Sequence, residues 1–183
     1  EQINLTLKKY KLKNPFILSV GKIEPRKNIT RLIEAFNKLN IENIDIVIVG
    51  SKGWLDLNNQ TMKQSSKVKF LGLISDQELY SLYSSCLFFI YPSIWEGFGY
   101  PIVEAMKLGV PVATSNTSSL KEIVNNSALL FNPFDVNDMY QCIDTLIQDN
   151  DLRIELSKKG VERSKIFTWL NYYSRMIKVL STH

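Results

Sequence analysis

Four side chains are spaced to act on a charged, hydroxylated ligand: Arg26, Lys27, Glu96 and Glu104. Arg26 and Lys27 close the segment Gly21-Lys22-Ile23-Glu24-Pro25-Arg26-Lys27-Asn28, which carries three cations. Cations beside a helix start are joined by free N–H groups and the positive end of the helix dipole, so the segment attracts anions. A lone Arg-Lys pair in a turn is otherwise only a solvated surface. Glu96 and Glu104 bracket Glu96-Gly97-Phe98-Gly99-Tyr100-Pro101-Ile102-Val103-Glu104. Gly97 and Gly99 let the backbone turn sharply and approach a ligand. Pro101 fits only the first turn of a helix, so a helix starting there aims free N–H groups at the same ligand. Carboxylates touching a phosphate would repel it, but each can accept from a pair of sugar hydroxyls. Taken singly, Glu104 also reads as a favourable charge near a helix N-terminus and Glu96 as a loop acid. Their spacing around Gly-Phe-Gly weakens that joint alternative.

Other chemistries lack their residues. The single histidine, His183, is the last residue, which removes Ser-His-Asp, Cys-His and His-ligated metal chemistry. Cys86 and Cys142 lie far apart in apolar contexts and read as small buried hydrophobes. The one D-x-D triplet, Asp149-Asn150-Asp151, lies in the helical C-terminal region away from the strand-edge loops, and no other clear metal-ligand arrangement occurs, so a metal-independent reaction with no cofactor is expected. The net charge is +4, with basic residues spread along the chain. That suits a phosphate-bearing small molecule rather than nucleic acid. With 183 residues, 45% hydrophobic and 22% charged, the chain has the composition of one ordinary globular domain. No apolar run of about 18 residues is present to span a membrane, and Glu1-Gln2-Ile3-Asn4 does not resemble a signal peptide.

The elements that must position these residues alternate. Strands are expected over Phe16–Val20, Ile44–Val49, Val68–Leu71, Leu87–Tyr91, Pro111–Thr114 and Ala128–Phe131. Ile29, Leu32, Ile33, Phe36 and Leu39 follow helical spacing. A short helix is expected within 55–66. Ser75 and Glu78 form a capping box that opens a helix running to about Ser84. Further helices are expected from about Gly99 to Leu108 and around 119–124. From Asp135 the pattern is helical only, with one helix marked by Met139 to Ile147, a second over Leu152–Phe167 and a third over Trp169–Leu180. Alternating strands and helices predict an α/β domain, an open parallel sheet of about six strands with helices on both faces. Ligands of such sheets bind outside the carboxyl ends of the strands. Both Arg26-Lys27 and Glu96-to-Gly99 lie in loops at that edge.

In this order and spacing, SVGKIEPRKNITRLIEAF, VKFLGLISDQELYSLYSSCLFFIYPS, EGFGYPIVE, GVPVATSNTSSLKEIV, ALLFNPFD and FTWLNYYSRMIKVL resemble the retaining GT-B-fold glycosyltransferases of the large "glycosyl transferases group 1" family. The resemblance runs from about Lys13 to Leu180. It implies a Rossmann-like, donor-binding half of a GT-B fold, with residues 1–14 as the remnant of an interdomain linker and 15–183 as the nucleotide-sugar-binding domain. A nucleotide diphosphate sugar, with GDP or UDP as the nucleotide, is the implied substrate. Arg26 and Lys27 match the cations on the diphosphate, and Glu96 matches the residue on the sugar hydroxyls. Gly97, Phe98, Gly99 and Tyr100 match the backbone around sugar and phosphate, next to Gly21. Glu104 matches the ribose acceptor, and the stretch Leu73-Ile74 matches the contact to the base. The acceptor, a glycan or a lipid-linked sugar, is implied to bind a separate N-terminal domain. Many relatives carry Arg where Lys22 stands, which keeps the charge but loses the bidentate fork. The E-P-R-K-N form tilts the reading toward mannosyl transfer.

Three other classes fit the sequence less well. A glycoside hydrolase could use two carboxylates but leaves Arg26-Lys27 and the glycine loop without a role. A nicotinamide dehydrogenase lacks G-x-G-x-x-G after the first strand, and Gly50 stands where an acid should end the second. A non-catalytic nucleotide-sugar-binding module remains as the alternative. Trp169, Tyr172, Tyr173, Met176 and Ile177, with Arg175 and Lys178, could form a membrane-surface helix or pack within or between domains. A glycan on the Asn28-Ile29-Thr30 triplet would crowd the phosphate site, which favours a cytoplasmic, bacterial setting, with peripheral membrane association compatible.

Overall fold

Six short, mostly apolar segments form one sheet in which every pairing is parallel. The computed structural model describes residues 1–13, 15–53 and 66–181. The strands are β1 (Phe16–Val20), β2 (Asp45–Val49), β3 (Val68–Gly72), β4 (Phe88–Tyr91), β5 (Val112–Ser115) and β6 (Leu129–Phe131). They lie in the order β3-β2-β1-β4-β5-β6. The described helices are α1 (Gln2–Lys9), α2 (Ile29–Lys38), α3 (Asp76–Tyr83), α4 (Tyr100–Lys107), α5 (Ser118–Val124), α6 (Val136–Gln148), α7 (Asn150–Ser164) and α8 (Trp169–Leu180).

Side-chain alternation builds two cores. Ile17, Ile46, Ile48, Phe88 and Ile90 face a layer made by α2 and α6. Phe16, Leu18, Val47, Val49, Phe89 and Val112 face the layer of α3, α4 and α5. Because both faces are covered, the strands read as near-continuous apolar runs rather than alternating ones. The chain moves outward from β1 through β2 to β3, then returns to the other side of β1 as β4. The strand order therefore reverses between β1 and β4, and a crevice opens at their carboxyl ends. The loops after β1 and β4 flank it, and they are the loops that carry Arg26-Lys27 and Glu96.

Three segments differ from or extend the sequence expectation. The helix expected over 55–66 falls on residues 54–65, which lie outside those described. Residues 2–9, within the stretch read as linker, form α1. That helix is docked on α3 through Lys9, whose Nζ donates to Glu78 Oε1 at 2.5 Å, and through Tyr10, whose hydroxyl donates to the same oxygen at 3.1 Å. The second late helix starts at Asn150 rather than Leu152 because Asp149 caps it, accepting from the Leu152 N–H. The apolar stripe of α8 is not covered by the described chain: Trp169 is 82% exposed and Leu170 74% exposed.

The Glu78 contact gives a pH prediction. Its other oxygen accepts from the backbone of Ser75 in the expected capping box. The Lys9 ammonium and the Ser75 donors hold the Glu78 carboxyl down at about 2. A depressed folded-state pKa contributes stability that is complete above the unfolded value and is lost as pH falls toward the folded one. The stability difference between wild type and Glu78→Gln should therefore be constant above about pH 5 and shrink toward pH 2. Urea denaturation across that range tests it, and a difference that does not change with pH would sink it.

Candidate functional site

The loop after β1 leaves the sheet as an extension of the strand, with the Gly21 N–H donating to Val49 O at 2.8 Å. It then tightens into a 3-10 turn over Pro25–Lys27, where proline favours the first position. Asn28 follows in the left-handed region at φ 58°, which asparagine tolerates better than most residues. Its Nδ2 donates to Pro133 O at 2.7 Å, and its Oδ1 accepts from Arg31 Nη1 at 2.9 Å. This sharp turn folds Lys27 back across Gly21. A Cβ on Gly21 would lie 3.2 Å from Lys27 Cε, so the missing side chain is what seats the lysine.

The loop after β4 comes to meet it. The Ile94 N–H donates to Arg26 O at 2.8 Å. Three consecutive hydroxyl residues at the start of α5 hold the loop from the other side. Thr117 Oγ1 donates to Ile94 O at 2.9 Å, the Glu96 N–H donates to Ser118 Oγ at 3.1 Å, and Ser119 Oγ donates to Glu96 O at 2.9 Å. Gly99 then starts α4 at φ 99°, and a Cβ there would come within 2.9 Å of Leu120 Cδ2. Only glycine fits both that angle and that space.

These two loops bring together side chains 69 residues apart. Glu96 Oε1 accepts from Lys27 Nζ at 2.5 Å, and Glu96 Oε2 pairs with Arg26 Nη1 at 2.8 Å. Tyr91, the last residue of β4, closes the group: its hydroxyl accepts from Lys27 Nζ at 2.5 Å and donates to Glu96 Oε1 at 3.0 Å. Glu24 Oε1 pairs with Arg26 Nε at 2.5 Å. Lys27, Glu96 and Glu24 are buried, while the Arg26 side chain keeps 44% of its surface exposed. Burial opposes charge on Glu96 and on Arg26. Lys27 nonetheless holds the Glu96 carboxyl below its ordinary range, and Glu96 with Glu24 raises the Arg26 guanidinium. Burial, then the Glu96 charge, pushes the Tyr91 phenol far up, so it stays protonated. Neither Arg26 Nη2 nor the third Lys27 N–H has a partner among the described residues. These are the donors left for a ligand.

The sequence places the cations on phosphate and the acids on sugars. The structure joins the two sets, because the buried Lys27 beside the half-exposed Arg26 needs a counter-ion. Glu104 stands apart from this group. Its Oε2 accepts from the Tyr83 hydroxyl at 3.2 Å, and no bond joins it to Arg26, Lys27 or Glu96 among the described residues. Ile74 is half-buried against the core at the end of β3, while Leu73 beside it is 80% exposed. Phe98 packs on Tyr100 with ring centroids 4.8 Å apart and edge-on to Phe167 at 5.7 Å. Glu24, Tyr91 and Thr117-Ser118-Ser119 are missing from the sequence expectation. Tyr91 could have been found: a polar-tipped ring at the carboxyl end of a buried strand needs a partner for its hydroxyl. Among the described residues, no three His, Cys, Asp or Glu side chains gather in a way that could hold a metal ion.

Tyr91→Phe should cost about 1.5 kcal/mol of stability, the value of a hydrogen bond to a charged group. Urea denaturation checks this. A variant as stable as the wild type would show that the phenol does not hold the Lys27–Glu96 pair.

Comparisons with known proteins agree with this architecture. A model of the family described as "Glycosyl transferases group 1" matches residues 6–163. O-antigen chain mannosyltransferase B of Escherichia coli is 36% identical over 179 residues, covering 93% of this chain and 47% of that protein. Serotype-specific mannosyltransferase WbdA of Escherichia coli is 34% identical over 180 residues, covering 93% of this chain and 22% of that one. The chain thus spans less than half the length of either relative. Among solved structures, a sucrose-phosphate synthase from Thermosynechococcus elongatus superposes with a TM-score of 0.80 at 26% identity, over 97% of this chain and 48% of that one. Anabaena Alr3699/HepE, in complex with UDP and glucose, superposes over all of this chain and 52% of that one, with a TM-score of 0.85 at 22% identity, a likeness of fold.

Proposed function

The chain belongs to the glycosyl transferases group 1 family, and from that premise we propose that it is the donor-binding half of a retaining hexosyltransferase, one half of a GT-B fold. The observation that carries the reading is the junction of Arg26, Lys27 and Glu96 at the crevice where the strand order reverses. In this reading the diphosphate of a GDP or UDP sugar lies against Arg26 Nη2, Lys27 Nζ and the amino end of α4. Glu96 accepts from hydroxyls of the transferred sugar. Glu104, steadied by Tyr83, accepts from the ribose, and the backbone at Leu73-Ile74 meets the base. The mannosyltransferase relatives support mannose as the transferred sugar, and the resemblance of the E-P-R-K-N form supports a GDP carrier.

The bond between the anomeric carbon and the diphosphate oxygen breaks as the acceptor oxygen bonds to that carbon. Negative charge grows on the leaving diphosphate, and pre-placed cations stabilise it without reorganising. On the retaining course, the leaving phosphate oxygen takes the acceptor proton on the same face, so no protein base and no metal enter. A carboxyl held below its ordinary pKa, as at Glu96, is a poor general acid, and glycoside hydrolysis would leave the paired cations Arg26 and Lys27 without a role. The acceptor, a glycan or lipid-linked sugar, binds a separate N-terminal domain. No described helix is long and apolar enough to cross a membrane. The exposed stripe of α8 supports a peripheral position on the cytoplasmic face.

A thermal-shift panel of GDP, UDP, ADP and their sugars tests the reading. The nucleotide sugar with the tightest site raises the melting point most at equal concentration. The largest shift is expected for GDP-mannose, and no shift with any of the panel would overturn the donor-site assignment.

A further inference from the structure

The charge of the site sums to nothing. Arg26 and Lys27 bring two positive charges, and Glu24 and Glu96 bring two negative ones, all linked by ion pairs of 2.5 to 2.8 Å. The two acids are not equivalent. Among the described residues the Glu24 carboxylate pairs with Arg26 and not with Lys27, and approaches it from the Nε side. Glu96 divides its two oxygens between both cations, and Tyr91 donates to the oxygen on Lys27. A diphosphate that reaches Arg26 and Lys27 therefore meets a carboxylate already bonded to both. Unlike charges at such range attract strongly in a partly buried site, and like charges repel as strongly.

We propose that Glu96 makes nucleotide binding conditional on the sugar, acting as the internal counter-ion of Arg26 and Lys27 and so selecting the intact nucleotide sugar against the spent nucleotide. The inference rests on the donor-site reading above and adds a second role to Glu96. A free nucleoside diphosphate competes with Glu96 for the cations and offers the carboxylate nothing in return. A nucleotide sugar brings hydroxyls that Glu96 can accept from, which offsets the repulsion. After transfer the sugar is gone and the repulsion remains, so the product is expelled. The loop does not depend on this carboxylate for its path, since Ser118 and Ser119 hold the Glu96 main chain.

The test is calorimetric titration of full-length wild type and Glu96→Gln with GDP, UDP, GDP-mannose and UDP-glucose. The variant should bind the free diphosphates about tenfold more tightly, because a repelling charge near the phosphates is gone. The salt dependence of that binding should also steepen. Binding of the matching nucleotide sugar should not tighten, so the preference for sugar-bearing over free nucleotide should shrink at least tenfold. Glu24→Gln, which removes a charge with no sugar role, should shift both ligand classes in the same direction. If the Gln variant does not fold, Glu96→Ala removes the same charge and carries the same expectation. Wild type that binds the nucleotides, with a variant that binds free diphosphates no more tightly, overturns this inference alone. No nucleotide binding to any of the proteins overturns it together with the donor-site reading.

Discussion

Lys27→Ala in the full-length enzyme is expected to lower kcat/KM by roughly 10²–10³, the loss seen when one pre-organised group that stabilises developing charge is removed. The ammonium is buried and fixed by two bonds of 2.5 Å, to Tyr91 and Glu96. Its remaining N–H is therefore aimed before any ligand arrives, and it can act on a leaving phosphate without first being ordered. Its removal also leaves the buried Glu96 with Arg26 as its remaining cation. Lys27→Arg should not restore the rate. The stem lies across Gly21 at contact distance, and a planar guanidinium needs more width than an ammonium there. Steady-state kinetics, with far-ultraviolet circular dichroism as the check on folding, measures both variants. Turnover near wild type in Lys27→Ala would remove the lysine from the site.

Gly50→Ala is expected to be strongly destabilising. Gly50 directly follows β2, and a Cβ built there would lie 2.0 Å from the carbonyl oxygen of Gly21 and 2.5 Å from its carbon. Those are backbone atoms at the end of β1, the strand that pairs with β2 along its whole length. No rotamer change relieves the overlap, so the strand ends must part. Overpacking of this kind costs about 1–3 kcal/mol where side chains can yield and more where they cannot, and about 3 kcal/mol or greater is expected here. Parting the strand ends also moves Gly21 away from Lys27, so residual folded protein should bind nucleotide poorly. Urea denaturation reads the first effect and the thermal-shift panel the second. A variant within about 1 kcal/mol of wild type would mean that the two loops do not approach this closely.

The contact at Gly50 also shows what was legible in the sequence. Its glycine reads there as a missing acid, a mark against a dinucleotide enzyme. The structure shows why it is glycine: another backbone occupies the space. The parallel sheet, the order of its elements and the edge that holds the site follow from short β-branched runs alternating with helical spacing. The six strands lie within about two residues of their expected bounds, and the signal is strongest in β1, β2 and β4, where burial on both faces leaves near-continuous apolar runs. The capping box at Ser75 and Glu78 is local, so it too is visible in the sequence. Arg26, Lys27 and Glu96 are recognisable as candidates from their loops. Their mutual pairing is not, since it depends on the strand order reversing between β1 and β4. For the same reason Tyr91 passes as one more apolar strand residue and Glu24 as a loop acid. Thr117, Ser118 and Ser119 look like a polar turn, and only the folded chain shows that their hydroxyls hold the main chain around Glu96. The separation of Glu104 from the cation group, with Tyr83 as its partner, is likewise a product of tertiary packing.

The bond from the Ile94 N–H to the Arg26 carbonyl has a consequence for how this chain can vary in length. It ties one loop to the other at a fixed point in each. One residue added or removed between Val20 and Arg26, or between Tyr91 and Ile94, would slide both cations against their carboxylate by the reach of a whole residue, about 3.5 Å. Insertions and deletions should therefore be absent from both stretches among active members of this lineage, however freely their side chains change. Length change should gather instead in the turns at the opposite, amino edge of the sheet, such as the one between α2 and β2.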